Sequence, residues 1–360
     1  MIGILGATGA VGRQVARLLA AEQHHPLRLG GRDGASVRRC ADELGIAAQA
    51  ISVDITDEAA LADFVRGCRL VVTCAGPSHR MAGPIASAAI DAGADIVDAG
   101  GNSAIAAMDT GDRTAVFFAG ALPGLSGILP RWLARDFDSV RDLLAYSGAL
   151  DHFSAAGAED YLDGVFGAGT EPLAAWRDGR PVDNVLTRAR IDLPGFGSDA
   201  MALPYLDDES RRLATDLSLR DGQWYSVVDG RHLGAALDQA RALSSADAVT
   251  RLRRAAALDL AGREPHVTFL VQARGLRAGR ALTRTAVLRA AGIADLTATA
   301  TGLAALAVIG GGIAPGAHHA ATVLDPPYIV DTLLTASALH ELSVHDSSIA
   351  ELAMVEEGAL

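Results

Sequence analysis

The sequence predicts an α/β chain: an N-terminal doubly wound parallel sheet with an appended α+β domain built on a mixed or antiparallel sheet. Two observations carry this. Across the first 135 residues, short apolar runs alternate with amphipathic segments of helical length. Parallel strands separated by helices need right-handed crossovers, which wind a sheet of this kind. After about Asp138 the texture changes to long alternating runs, PHVTFLVQARG and RALTRTAVLRA. That is the period of paired antiparallel strands.

The elements follow in order. Strands are expected at Ile2–Leu5, Leu27–Leu29, Ala48–Val53, Leu70–Thr73, Asp95–Val97 and Ala115–Phe118, with helices including Val11–Ala21, Glu58–Arg66 and Ile85–Ala92. VRDLLAYSGAL then reads as a strand and SAAGAEDYLDGVFG as a helix opened by Ser154. An irregular middle containing Pro181, Pro194, Gly195, Gly197 and Pro204 precedes a hairpin turning through Gly279, and a helix spans about Ala291–Val308. These elements predict a doubly wound domain over 1–138, an α+β domain over 139–325, and a C-terminal helical segment, 326–360, packing back on the first domain.

Bulk properties narrow the function classes. A net charge of -12 leaves no basic surface for neutralising phosphates, so a nucleic-acid partner is not expected. Cys40, Cys68 and Cys74 are scattered without metal-ligand spacing, and no metal site or disulfide framework is expected. The uncharged stretch Leu296–Val323 is interrupted by Gly310, Gly311, Gly312 and Pro315, as in a buried helix ending in a glycine loop. No basic segment or cleavage motif precedes the first strand, so a cytoplasmic protein is expected. The chain contains no lysine. Every mechanism that requires one is excluded.

GILGATGAVGRQVARLL places Gly6, Gly9 and Gly12 between the first strand and the first helix. Gly6 permits the tight turn, Gly9 lets backbone approach a pyrophosphate, and Gly12 lets helix and strand pack closely. This is the Rossmann arrangement, in which helix N–H groups face the phosphates. Thr8, Ala10 and Val11 complete the phosphate-binding turn. The second strand ends RLGGRD. Arg32 suits the 2′-phosphate of NADPH, whereas Asp33 could instead bond the ribose hydroxyls of NADH. Asp54, after the third strand, fits either an adenine contact or a helix cap. The turn Cys74, Ala75, Gly76, Pro77 follows the fourth strand and forms the expected floor beneath the nicotinamide ribose.

GATGAVG resembles the short-chain reductases, whose chemistry needs a Tyr-x-x-x-Lys pair that a chain without lysine cannot supply. Gly76-Pro77, GPIASAAIDAGADIVDAGG with Asp98, and AGALPGLSGILPRWLA resemble instead the saccharopine dehydrogenase-like NAD(P)-binding reductases. That resemblance implies a Rossmann domain, an appended substrate sheet, a homodimer, and hydride transfer to or from a carbon–nitrogen bond. FFAGALPGLSGILPRWLA and HFSAAGAEDYLDG are similar to a branch of that family, the thiazolinyl imine reductases. For that branch the resemblance implies reduction of a thiazoline to a thiazolidine. The intermediate would be a siderophore precursor tethered to a peptidyl carrier domain of a nonribosomal peptide synthetase.

Imine reduction needs a proton for nitrogen, and histidine is the usual donor near neutral pH. His79 follows the fourth strand at the carboxyl edge, where it is either that donor or a loop residue. Asp160 and Tyr161 are further catalytic candidates, although Tyr161 equally suits helix packing. His152, Ser154 and Gly124 are candidate substrate contacts. His318 and His319 have no ligand-spaced partner and are not expected to bind metal. Two other readings remain open: a saccharopine- or opine-type dehydrogenase of free amino acids, and a regulatory protein that senses NADPH without turnover.

Overall fold

The computed structural model describes all residues except 23–24, 103–104, 106, 168, 337–338 and 359–360, and residues 355–358 by backbone alone. In chain order the first part comprises β1 (Ile2–Leu5), α1 (Ala10–Ala21), β2 (Leu27–Gly31), α2 (Gly34–Glu43), β3 (Ala48–Ser52), α3 (Glu58–Val65), β4 (Leu70–Thr73), α4 (Ser78–Asp91), β5 (Asp95–Asp98), β6 (Thr114–Phe117) and α5 (Leu125–Ala134). There follow β7 (Ser139–Leu150), α6 (Ala155–Phe166), the short strands β8 (Glu171–Pro172), β9 (Ala175–Arg177), β10 (Arg180–Val182) and β11 (Ala189–Arg190), then β12 (Ala200–Leu206), α7 (Asp208–Asp216) and β13 (Asp221–Asp229). The remainder is α8 (Arg231–Ala240), α9 (Ser245–Leu260), β14 (His266–Arg277), β15 (Arg280–Ala290), α10 (Ile293–Ile309), β16 (Gly316–His319), α11 (Ala320–Val323), α12 (Pro326–Leu333), β17 (Leu339–His345) and α13 (Ile349–Gly358).

The chain divides into two units, but not at the boundaries the sequence suggests. One comprises Met1–Ile128 with Ala294–Ile329, and the other Leu129–Ile293 with Val330–Leu360. The first unit holds a parallel sheet ordered β16-β6-β5-β4-β1-β2-β3 among the described residues. Six of these strands are the six expected ones. The seventh, β16, returns from late in the chain and pairs Gly316–His319 with Thr114–Phe117. Helix α10 belongs to the same unit: Gln14 donates to Asp295 (3.1 Å), and the buried Thr301 hydroxyl donates to the carbonyl of Ala119 (3.0 Å).

Two strand glycines have a packing reason. A Cβ on Gly3 would lie 3.1 Å from the Phe64 ring, and one on Gly30 only 2.6 Å from it. The bare backbones of β1 and β2 form the groove that seats this fully buried phenylalanine, a burial worth about 2–3 kcal/mol.

The second unit is built on a mixed sheet whose main path runs β10-β9-β13-β7-β14-β15-β17, with β8, β11 and β12 attached beside it. The expected hairpin is β14–β15, paired throughout from Val267–Ala290 to Arg277–Arg280 and turning through Gly279 at φ 72. Helices α6, α8 and α9 form a core over Val228, while Ile349 and Leu352 pack with Leu144, Tyr146 and Leu270. The C-terminal segment differs from its expected role. Residues 330–360 belong to the second unit, where they include a strand, β17, that pairs with β15.

Candidate active site

The glycine turn closes as the spacing requires. Gly6 has φ 76, and a Cβ there would meet the Cys74 and Ala75 backbones at 2.8 Å. A Cβ on Gly12 would approach the carbonyl oxygen of Gly6 at 2.2 Å. Gly9 is different, because its added Cβ would meet only the Gly6 carbonyl, at 3.3 Å. Its open side is the side a ligand can approach. Gly9 caps α1 without any side-chain bond, and the first turn carries no acidic residue, so the first N–H groups and the positive helix end suit phosphate. Ala10 and Val11 lie in that turn. Ala7 N–H donates to Gly30 (3.1 Å), and Thr8 faces Gly31. These contacts tie the turn to the end of β2.

Asp33 is engaged at the start of α2. Its carboxylate accepts from Ala35 N–H (3.1 Å) and from the Ser36 hydroxyl (2.5 Å), and these bonds hold its pKa below the usual value. Arg32, exposed beside it, makes no ion pair among the described residues. Asp54 holds an Asx turn, accepting from Thr56 N–H (3.0 Å) and its hydroxyl (2.8 Å), which lower its pKa. The cap of α3 is Asp57, not Asp54.

At the carboxyl ends of β4, β5, β6 and β16 the first unit gathers a second group of side chains. Cys74 N–H donates to Leu5 (3.0 Å), which places the Cys74–Pro77 turn beside Gly6. Burial and the nearby Asp98 charge push the Cys74 thiol pKa far up, so no thiolate forms there. Helix α4 begins at Ser78, directly after Pro77, and not at Ile85. His79 consequently sits in a helical first turn, half-buried, with its carbonyl accepting from Asn102 (3.1 Å).

Asp98, 2% exposed at the end of β5, accepts from Gly100 N–H (2.9 Å). Ser78 covers Gly100 so closely that a Cβ there would meet its hydroxyl. Phe118 stands at φ 56, a costly backbone state for an aromatic residue and one concentrated at functional sites. Its ring stacks on His319 with centroids 4.6 Å apart. Sequence reasoning weighed His319 only as half of a histidine pair, because the strand that delivers it was not recognised.

The remaining candidates divide between the units. Gly124, at φ 123, is required by its turn: a Cβ would meet the carbonyls of Phe118 and Gly120 at 2.4 Å. His152, Ser154, Asp160 and Tyr161 lie in the second unit. The Ser154 hydroxyl accepts from Gly157 N–H (2.9 Å) as the α6 cap, while His152 is exposed. Tyr161 packs on Phe153 (5.3 Å) and hydrogen-bonds Ser226, and burial raises its pKa, which weakens it as a proton donor.

Residues 2–121 match the saccharopine dehydrogenase NADP binding domain. The apo saccharopine dehydrogenase (L-Glu forming) of Saccharomyces cerevisiae shares the fold at a TM-score of 0.66 and 16% identity, over 96% of this chain and 99% of that one. A triphenylmethane reductase of Citrobacter sp., complexed with NADP(H), aligns over 28% of this chain and 37% of its own at 22% identity and a TM-score of 0.24. No curated protein matches. No described helix is long and apolar enough to cross a membrane.

Proposed function

We propose, for a chain whose residues 2–121 match the saccharopine dehydrogenase NADP binding domain, that it is an NADPH-dependent reductase of a carbon–nitrogen double bond. The observation that carries this reading is the first unit itself. It joins a glycine turn left open at Gly9 and the exposed Arg32 after β2 to a carboxyl edge holding His79, Asp98 and His319. The residues present fit the dinucleotide. Gly9 and the α1 N-terminus would hold its pyrophosphate, Arg32 its 2′-phosphate, and the Cys74–Pro77 turn would support the nicotinamide ribose.

The dinucleotide supplies hydride to the imine carbon. The chain must then hold the substrate in place and deliver a proton to nitrogen as its electron pair forms. His79, fixed by the first turn of α4, is the proposed donor. The substrate proposed is a thiazoline ring on a carrier-bound siderophore precursor, reduced to the thiazolidine, and the setting a cytoplasmic homodimer.

One observation favours a second substrate class. The second unit carries a pocket of about 380 Å³ lined by Arg141, Arg177 and Arg274 together with Asp142 and Asp221. Arg141 faces Asp142 (3.7 Å) and Arg177 faces Asp221 (3.8 Å), which leaves Arg274 to meet the carboxylate of a free amino acid, as a saccharopine-type reaction would need. Following NADPH oxidation with a thiazoline-4-carboxylate thioester, and separately with amino acid plus 2-oxo acid pairs, separates the two. Turnover of the thioester alone supports the cyclic imine; turnover of the pairs alone replaces it.

Two variants test the residue assignments. Arg32→Ala should weaken NADPH binding about 10- to 100-fold and leave NADH within about threefold, the selective loss of a charge-assisted phosphate contact. Equal weakening of both would remove Arg32 from the phosphate site. His79→Ala should slow turnover about 100-fold or more while NADPH affinity stays unchanged. Unaltered turnover would leave it a helix residue only.

A further inference from the structure

We infer that Arg13 is a second ligand of the cofactor 2′-phosphate, so that α1 and the end of β2 form a two-arginine clamp. The inference rests on the NADPH reading above and goes beyond it, since Arg32 alone was expected to recognise that group.

Arg13 lies one residue past the glycine motif, and its N–H donates to Gly9 (3.0 Å), which fixes it in the first turn of α1. Its side chain leans across to α2, where its guanidinium lies against the Cys40 thiol. The Cys40 Sγ in turn donates to the carbonyl of Ala7 (3.4 Å), so the groove between α1 and α2 is tied to the glycine turn itself. This is the side on which β2 ends. Ala7 N–H meets Gly30, Thr8 faces Gly31, and Arg32 follows.

Within that groove the Arg13 Nε is buried and has no hydrogen-bond partner. Among the described residues no carboxylate pairs with it. Arg17, one turn on, is by contrast engaged by Glu43 (3.5 Å) and by Gln14 (3.1 Å). A thiol is a weak acceptor and cannot satisfy a guanidinium. A buried donor without an acceptor is costly, and a bound anion is one way to complete it.

The ligand chemistry follows from the neighbours. Asp33, the acid beside the same corner, is committed to capping α2, and Arg39 donates to Ser36 (2.7 Å). Asp54, which follows β3, interacts with Arg32 through its charge and is already bonded to Thr56. At the corner of α1 and β2, Arg13 and Arg32 have donors to spare, and Arg38 lies beyond them beside Gly34 and Ser52. A dianionic phosphate monoester accepts from both Arg13 and Arg32, and a ribose hydroxyl does not need either.

The test is calorimetric titration of the intact protein with 2′,5′-ADP, with NADPH and with NADH, using wild type, Arg13→Met, Arg13→Lys and Arg32→Ala. Arg13→Met is expected to weaken 2′,5′-ADP and NADPH about 10- to 100-fold while NADH stays within about twofold, and Arg13→Lys to fall between it and wild type. Loss of NADPH and NADH in equal measure, or of neither, overturns the inference and leaves Arg13 a packing residue against Cys40. If Arg13→Met does not fold, Arg13→Lys decides alone: unchanged selectivity counts against the clamp. A wild type that does not discriminate NADPH from NADH would sink the underlying cofactor reading instead. A wild type that discriminates through Arg32 only would sink the clamp and spare that reading.

Discussion

Replacing Asp229 by alanine is expected to destabilise the second unit by about 3–5 kcal/mol, the cost of breaking a buried ion network by removing its centre. The Asp229 side chain is fully buried. It accepts from Arg263 (2.9 Å), Gly197 N–H (2.9 Å) and His266 Nε2 (3.0 Å), and its own carbonyl accepts a further bond from Arg263 (3.2 Å). Burial raises its pKa, but the bonds from His266, Arg263 and Gly197 together outweigh it and hold the carboxyl at about 2. Alanine would leave the Arg263 guanidinium facing a vacated polar site.

The sign of the pH dependence follows. Asp229 titrates lower in the folded chain than its ordinary 3.8, so it stabilises the fold fully above that value and loses the contribution as pH falls through about 2. The difference corresponds to about 2 kcal/mol. The three tryptophans, Trp132, Trp176 and Trp224, all lie in the second unit, so their fluorescence during denaturant unfolding reports that unit alone. Asp229→Asn should give a smaller loss at neutral pH and a flatter acid dependence. An unchanged unfolding midpoint for Asp229→Ala would refute the network's contribution.

The second large effect separates two glycines of one motif. Gly12→Ala forces a methyl group onto the backbone of Gly6 and Ala7, with the nearest atom at 2.2 Å, and no flexible side chain can yield. It should cost the first unit about 3 kcal/mol or more. Gly9→Ala meets only the Gly6 carbonyl at 3.3 Å, so the fold should persist, with thermal unfolding nearly unchanged. The same methyl group stands in the proposed path of the pyrophosphate, and NADPH binding should fall on the order of 100-fold. Equal melting temperatures for the two variants would show that the turn has more room than its geometry allows.

The first unit was legible where its determinants are local. β1, β4 and β6 are continuous apolar runs because both faces of a parallel sheet are covered, and their buried side chains bear this out. The glycine turn was legible because each glycine is demanded by backbone within a few residues or on the adjoining strand. Helix α4 was misjudged by two turns because Gly83 and Pro84 break the pattern that a helix shows. Strand β16 carries only GAHH, too short and polar to announce itself, and its place is set by pairing with a distant strand. His319 was lost with it, and the domain boundary shifted for the same reason. Arg13 stood in plain view after Gly12. Its signal is a cation in the first turn of a helix whose N-terminus already favours anions, and only the buried Nε distinguishes it from a solvated arginine.

The central claim is that this chain moves hydride from NADPH to a carbon–nitrogen double bond. The direct measurement is to supply NADPH deuterated at nicotinamide C4 on either face, with a thiazoline-4-carboxylate thioester, and to weigh the product. The account predicts one deuteron on the carbon of the former double bond, from one face of the cofactor only, and a proton from solvent on nitrogen. Deuterium retained in the cofactor with every imine supplied, although NADPH binds, would contradict it and leave a protein that senses the dinucleotide without using it.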